Sequence, residues 1–363
     1  MKGNRDVHQQ RMAEPTSEST IGLDLGDRWS RYCVIDSRGV VVKEDRVRTS
    51  PEAVEETFRV VLASKIVIEA GTHSPWVSRL LERLGHRVIV ANARKVRLIY
   101  ESDRKNDRLD AQMLAKLGRV DVSLLAPVQH RSLEAQTDLA VVHGRDALVS
   151  ARVQLINAVR GLVKSMGGRL PASTTAAFAS KMASLIPPPL KSALAPLLKS
   201  IQHLSEQIRR CDRQVEELAR KKYPQTKLLQ QVKGVGPLIS LAYVLTLDNP
   251  ARFQKSRMVG SYLGLQPKQS QSGESSPQLG ITKSGNGFLR RMLVQAAQYI
   301  LGPLASDSRL RRWSLGLSQR GGKNSKKRAV IAVARKLAVL LHKLWVTSEV
   351  YEPLYGIEPS TAI

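Results

Sequence analysis

Two short apolar runs near the start of this chain end in the same way. Ile21-Gly-Leu-Asp-Leu-Gly26 closes on an acid and a glycine, and Lys65-Ile-Val-Ile-Glu69 closes on an acid two residues before Gly71. Runs this short, rich in branched residues and punctuated by glycine, read as buried strands. Each therefore carries a carboxylate to the edge of a sheet. Arg31–Ser37 and Val40–Val47, split by the turn signal Arg38-Gly39, add two more β-rich runs, and with the first they form three antiparallel strands. Glu52–Leu62 reads as a helix, as does Pro75–Leu84, where Trp76, Leu80, Leu81 and Leu84 recur at helical spacing. His86–Ala91 is a further strand and Arg108–Leu117 a further helix. The order strand-strand-strand-helix-strand-helix-strand predicts an α/β domain with a mixed sheet.

Four acids stand out by position. Asp24 and Glu69 end strands, and Asp107 and Asp110 lie three apart at the start of the helix Arg108–Leu117, so they share one face. Carboxylates at strand ends and on a neighbouring helix can converge above a sheet edge. Such a cluster repels itself unless a cation joins it. Mg²⁺ takes hard oxygen ligands and, beside a phosphodiester, stabilises the attacking and leaving oxygens. Taken singly, Asp24 reads equally as a turn residue, Asp107 as an N-cap and Asp110 as a solvated helix acid. Asp103, close by, reads as a surface acid.

The ordered set gains weight from the rest of the chain. Over 363 residues the formal net charge is +26, a balance that self-repels unless a polyanion neutralises it, and nucleic acid is the usual one. Residues 21–110 hold 17 Lys/Arg and 14 Asp/Glu, whereas residues 251–350 hold 18 and 3, so the C-terminal part is the expected phosphate-binding surface. Aromatic residues make up only 4%, which argues against a stacking platform as the main nucleic-acid surface. Two cysteines, Cys33 and Cys211, indicate neither a disulfide framework nor a zinc site. The leader 1–19 is polar, with no signal-peptide core, and the apolar run Ala329–Val346 is broken by Arg335, Lys336 and Lys343, so no membrane span is expected. The expected location is cytoplasmic and nucleoid-associated.

The middle of the chain reads as helical from Leu133 to Met166. After Pro187-Pro-Pro189, residues Ile201, Leu204, Ile208, Cys211, Val215 and Leu218 follow the 3-4 spacing of a coiled-coil seam. That seam suits either an internal bundle or pairing between chains. Further on, Lys233-Gly234-Val-Gly236-Pro resembles the hairpin of a helix-hairpin-helix, whose backbone amides can meet phosphate. A Ser/Gly/Gln-rich loop spans Ser270–Gly287, and helices are expected at Phe288–Leu301 and Lys327–Val346. A serine on such a loop, near Lys283, Arg290 and Arg291, suits attack on phosphorus, although the same composition fits a polar linker. Arg309, Arg311, Arg312, Arg320, Lys323, Lys326, Lys327 and Arg328 complete the basic patch as phosphate contacts.

The segments IGLDLGDRWSRYCVID, VIEAGTHSPWVSRLLERLGHRVIVANARKVRLI and SDRKNDRLDAQMLAKL resemble the N-terminal domain of a family of bacterial insertion-sequence transposases. VKGVGPLISL, SYLGLQP, QSG and GITKSGNGFLRRMLVQAA resemble that family's C-terminal domain, and pilin-gene DNA invertases look related. The resemblance spans residues 20–345 in order. It implies an RNase H-like (RuvC-like) domain with a mixed sheet, then a helical coiled-coil segment and a mainly α C-terminal domain. It implies a DEDD set falling on Asp24, Glu69, Asp107 and Asp110, binding Mg²⁺, and a nucleophilic serine directly before a glycine, here Ser272, with Ser270 the weaker candidate. Gln271 stands where many relatives have serine. It further implies a covalent phosphoserine link to cleaved DNA, a guide RNA from the element that recognises donor and target, and assembly into dimers and then a tetramer.

The expected organisation is a disordered leader over 1–19, a RuvC-like catalytic domain over 20–128 and a helical segment over 129–226. A C-terminal transposase domain over 227–350 and a tail over 351–363 follow. The expected nucleic-acid contacts are Lys233, Gly234, Gly236, Lys283, Arg290, Arg291, Arg311, Arg312, Lys326, Lys327 and Arg328. Two competing readings stand beside the transposase: a junction-resolving nuclease that hydrolyses DNA with the acids alone, and a non-catalytic nucleic-acid-binding protein. No glycine-rich run matches a nucleotide-binding P-loop, as expected if strand exchange conserves bond energy.

Overall fold

A computed structural model describes residues 19–99 and 106–355, apart from 274, 276, 278 and 323. Asp103, Lys323, Glu274, nearly all of the leader and residues 356–363 of the tail lie outside the described residues. The chain divides into two compact units, 1–130 and 131–363.

The first unit follows the expected order, with one added helix, Ala93–Ile99, between the last strand and the helix that carries Asp107 and Asp110. Strands β1 (Thr20–Asp24), β2 (Trp29–Ile35) and β3 (Val41–Arg48) lead to helix α1 (Pro51–Arg59), β4 (Lys65–Glu69), α2 (Ser74–Arg83), β5 (Arg87–Ala91), α3 (Ala93–Ile99) and α4 (Asp107–Val120). The sheet order is β3-β2-β1-β4-β5, with β1, β2 and β3 antiparallel and β1, β4 and β5 parallel. Strand alternation sends Ile21, Leu23, Ile66 and Ile68 into one core with Val54, Phe58, Val77 and Leu81. Val67 faces the other way, onto Leu114 and Leu117 of α4.

Helix α4 crosses β1 very closely, and Gly22 makes this approach feasible. A β-carbon there would overlap the Ala111 carbonyl oxygen and the Ala115 amide nitrogen. Gly118 plays the same part against Val67 on β4. Polar ties fix the helix along its length: Lys65 Nζ donates to the Gly118 carbonyl (3.1 Å), Arg119 to the Ser37 carbonyl (3.2 Å), and Arg108 pairs with Glu44. The N-cap of α4 is Asn106, whose side chain accepts from the Arg108 amide, so Asp107 is the first helical residue and leaves its carboxylate for other work.

The second unit is helical: α5 (Leu133–Ser165), α6 (Phe178–Met182), α7 (Lys191–Glu217), α8 (Thr226–Gln230), α9 (Pro237–Leu247), α10 (Arg257–Tyr262), α11 (Gly287–Leu301), α12 (Arg309–Gln319) and α13 (Ser325–Thr347). Helices α5 and α7 run antiparallel. Asp138 pairs with Lys222, Arg145 with Asp212, and Arg152 donates to Ser205 Oγ. The expected seam therefore meets this chain's own α5: Ile201, Ile208 and Val215 are buried there, with Ile201 in one cluster with Ile156 and Val159. The main core gathers α9, α11 and α13 around the fully buried Tyr243, whose hydroxyl donates to the Ala338 carbonyl (2.6 Å). No helix among the described residues is long and apolar enough to cross a membrane.

The base of the α5–α7 pair is a polar knot. Asp138, 8% exposed, accepts from the Tyr223 hydroxyl (2.6 Å) and pairs with Lys222 (2.6 Å). Burial alone would raise the Asp138 carboxyl, but the Lys222 and Tyr223 bonds outweigh it and hold the group below its ordinary value.

Two outcomes follow for denaturation experiments. Gly22→Ala should lower the stability of the first unit by ~3 kcal/mol, because backbone and not side chain blocks the added methyl. Asp138→Asn should destabilise the protein at neutral pH. A depressed folded-state value contributes fully above the unfolded ~3.9 and is lost as pH falls through the lower folded value, so the penalty should shrink below pH ~4. A penalty that grows on acidification would refute the assignment.

Candidate active site and nucleic-acid interface

The antiparallel crossing of α4 over β1 decides what meets at the sheet edge. Gly118 lies by the start of β4, Ala111 and Ala115 lie over Gly22, and the first turn of α4 reaches the end of β1. Asp24, Asp107 and Asp110 accordingly bring carboxylate oxygens within 4.8 Å of one another. Asp24 and Asp110 are half-buried and Asp107 is exposed.

Glu69 stands outside this triad but close to it in the sheet. β1 and β4 pair up to Leu23 and Ile68, so Asp24 and Glu69 are the next residues on adjacent strands, which lie ~4.8 Å apart. Glu69 shares the face of Val67, the α4 side, as Asp24 shares the face of Gly22.

The chemistry of this donor set suits a hard cation. All three clustered ligands are carboxylates, with no cysteine or histidine among them. The first turn of α4 offsets part of the repulsion, since its positive end favours Asp107 and Asp110. A divalent ion would offset the mutual repulsion of the three carboxylates further.

One neighbour was not anticipated from the sequence. The loop after β4 brings His73 to the same edge, where Trp76 Nε1 donates to its Nδ1 (3.1 Å) and its Nε2 faces Asp27 at 3.9 Å. Its place four residues beyond Glu69 was the only available signal.

The serine loop belongs to the second unit. Ser272 and Ser275 exchange both backbone hydrogen bonds (3.2 and 3.1 Å), which makes a tight hairpin. Gly273 supplies the left-handed residue at its tip, with φ of 55° and open space around it. Ser272 is exposed, presented rather than enclosed. The stem below is held by the bridge between Pro267 and Ile281. Lys283, also exposed, has φ of 55°, a conformation that costs a non-glycine residue ~1 kcal/mol and concentrates at functional sites.

The expected nucleic-acid contacts separate into two kinds. Arg290 donates to the carbonyls of Leu263 and Ser284 (both 2.8 Å), and Arg311 to those of Ile300 and Gly302, so both brace loops. Arg291 pairs with Asp146 and Arg312 with Asp307. By contrast, Lys326, Lys327 and Arg328 are exposed in the first turn of α13, where the helix dipole disfavours cations and no acid accompanies them. That arrangement sacrifices local stability and suits an external anion. Lys233 and Gly236 are exposed on the turn between α8 and α9, and Gly234 takes φ of 95°. The turn opens on a pocket of about 380 Å³ shared with Gln295 and Tyr299.

Comparison with known proteins places these features in context. Residues 21–167 match the family profile of the DEDD transposases of IS110 type, and residues 226–311 match that described as the transposase IS116/IS110/IS902 family. The transposase for insertion sequence element IS1111A of Coxiella burnetii is 28% identical over 340 residues, 91% of this chain and 90% of that protein. The transposase for insertion sequence element IS1328 of Yersinia enterocolitica is 29% identical over 325 residues, 88% of this chain and 94% of that protein.

If the triad seats a divalent ion, its stability should depend on that ion. Saturating Mg²⁺, at about 100 times its dissociation constant, should stabilise the protein by ~2.7 kcal/mol. Asp24→Asn should raise the melting temperature in EDTA, by removing one repelling charge, and abolish the response to Mg²⁺. A variant destabilised in EDTA and still responsive would remove Asp24 from the site.

Proposed function

The chain belongs to the IS116/IS110/IS902 family of insertion-sequence transposases, enzymes that cut and join DNA, and from that premise we propose that it exchanges DNA strands using Ser272 as nucleophile and a Mg²⁺ site formed by Asp24, Asp107, Asp110 and Glu69. The observation that carries this reading is the meeting of three carboxylates at one sheet edge. Those three residues would hold the ion, and Glu69, next along on β4, would complete the acidic set. When bound, Mg²⁺ polarises a phosphoryl oxygen and stabilises the charge that develops on attack.

The remaining work falls to the protein. Ser272 Oγ attacks phosphorus, a serine–phosphate bond forms, and the bond to the leaving strand breaks. The serine proton is lost to a base and the leaving oxygen is protonated. Because one phosphoester replaces another, a second strand end can reverse the attack without a nucleotide cofactor. An exposed serine is a weak nucleophile by itself. The hairpin supplies presentation, and activation comes when the scissile phosphate is bound. Lys233 with the amides of its turn, Lys283, and Lys326, Lys327 and Arg328 would carry the flanking backbone. Arg290, Arg291, Arg311 and Arg312 would act on that surface mainly by fixing its loops.

Donor and target DNA would be chosen by a structured RNA from the element, and the subunits would assemble into dimers and then a tetramer. The fold of the first unit is consistent with an RNase H-like domain of RuvC type. A hydrolytic nuclease is the competing reading, since the acids assemble within the first unit without help from the second.

Incubation with element-end DNA, its adjacent transcript and Mg²⁺, followed by denaturing electrophoresis, separates the two. Asp24→Ala and Ser272→Ala should each reduce strand joining by more than ~100-fold, the scale of loss expected for catalytic groups. A protein–DNA adduct should form on Ser272 alone. Cleavage that survives Ser272→Ala, with no adduct, would favour the nuclease.

A further inference from the structure

A groove of about 1290 Å³ opens in the second unit, between α12, α13 and the stem of the hairpin that carries Ser272. Its floor is apolar, built from Leu265, Leu310, Trp313, Ile331 and Leu340. Its rim has the opposite character. Eight of the lining residues are lysine or arginine, among them Lys268, Arg309, Lys327 and Arg335, against one acid, Glu352.

This pairing narrows the occupant. A cationic rim repels a second copy of a chain that itself carries +26. An inorganic anion would satisfy the rim and leave the floor wet. A DNA duplex offers phosphates but keeps its bases stacked inside. A single strand offers both, with phosphates for the cations and flat apolar bases for the floor. The volume exceeds the ~300–1,000 Å³ usual for a small-molecule pocket, so there is room for more than one nucleotide.

We propose that this groove binds unstacked nucleotides of the DNA strand being processed, with bases on the Leu310, Trp313 and Ile331 floor and phosphates along the rim. The Lys336 ammonium already lies 3.7 Å from the centre of the Trp313 ring, which fixes the indole on one face. Burial and the neighbouring Arg309 both disfavour the Lys336 charge, and an incoming phosphate relieves that repulsion. The stem of the serine hairpin forms one wall, through Pro267, Lys268 and Gly280 to Lys283. A strand seated here is thereby unpaired against the stem of the hairpin whose tip carries Ser272. The assignment rests on the reading of the chain as a DNA-processing enzyme, and it does not require Ser272 to be the nucleophile.

The test uses the full-length protein and fluorescein-labelled oligonucleotides of one sequence, as single-stranded DNA, duplex DNA and single-stranded RNA. Trp313→Leu removes the aromatic floor and keeps the rim, and Ala332→Trp fills the groove from α13. Each variant should weaken single-stranded DNA binding about tenfold while leaving duplex affinity within about twofold. Unchanged thermal midpoints exclude misfolding, and Trp313→Leu stands alone if Ala332→Trp does not fold. Equal losses for single strand and duplex, or no loss for either, overturn the proposal. A loss confined to the RNA strand makes RNA the occupant and overturns the DNA assignment. Failure of the unaltered protein to bind any DNA would instead remove the transposase reading on which it rests.

Discussion

The contact between the backbone of β1 and the backbone of α4 governs the first unit. Because Gly22 has no side chain, the helix lies directly on the strand, and because the two run antiparallel, the start of one meets the end of the other. Every feature of the acidic edge follows from that geometry. Asp24 projects to the face of the helix, Asp107 and Asp110 come down on it, and Asn106 relieves Asp107 of the capping role. A helix held one side chain further away would leave the same acids as separate surface charges.

The second unit solves a different problem, that of holding many cations in a folded state. It does so by dividing them. Some arginines are consumed internally on backbone carbonyls, as Arg290 and Arg311 are, or on single acids, as Arg145, Arg291 and Arg312 are. Those residues hold loops and helices in place. Others crowd the start of α13 or the rim of the groove, where they have little to gain from the fold itself. The division leaves a cationic surface exposed while the core around Tyr243 stays apolar.

The strands of the first unit were legible because β1, β4 and β5 are short apolar runs near glycines, β1 and β4 ending in acids, and because Arg38-Gly39 marks the turn between β2 and β3. The convergence of Asp24 with Asp107 and Asp110 was legible as chemistry, but its geometry depended on Gly22 and Gly118, whose close approaches no spacing reveals. The seam from Ile201 to Leu218 was legible as a periodicity. Periodicity names a buried face and not what covers it, and here the cover is α5. Helix α12 was missed because Leu310, Trp313 and Leu317 are scattered among arginines and serines. An arginine that bonds carbonyls and one that faces solvent look alike in sequence, so the loop-bracing bonds of Arg290 and Arg311 were not legible. The groove was invisible for a simpler reason: its walls come from stretches of chain far apart in number.

The pairing of α5 with α7 has a consequence for how such a chain can vary in length. At 1.5 Å per residue the 33 residues of α5 make a strut of about 50 Å, comparable to about fifteen base pairs of duplex at 3.4 Å each. Its polar rungs, Asp138, Arg145 and Arg152, recur at seven-residue steps and meet Lys222 just beyond the end of α7, and Asp212 and Ser205 on α7 itself. Removing a few residues from one helix would rotate every later rung out of register and strand the buried Arg152 among apolar neighbours. Matched changes of one whole heptad in both helices, each about 10 Å of strut, keep the Arg145 and Arg152 rungs in register.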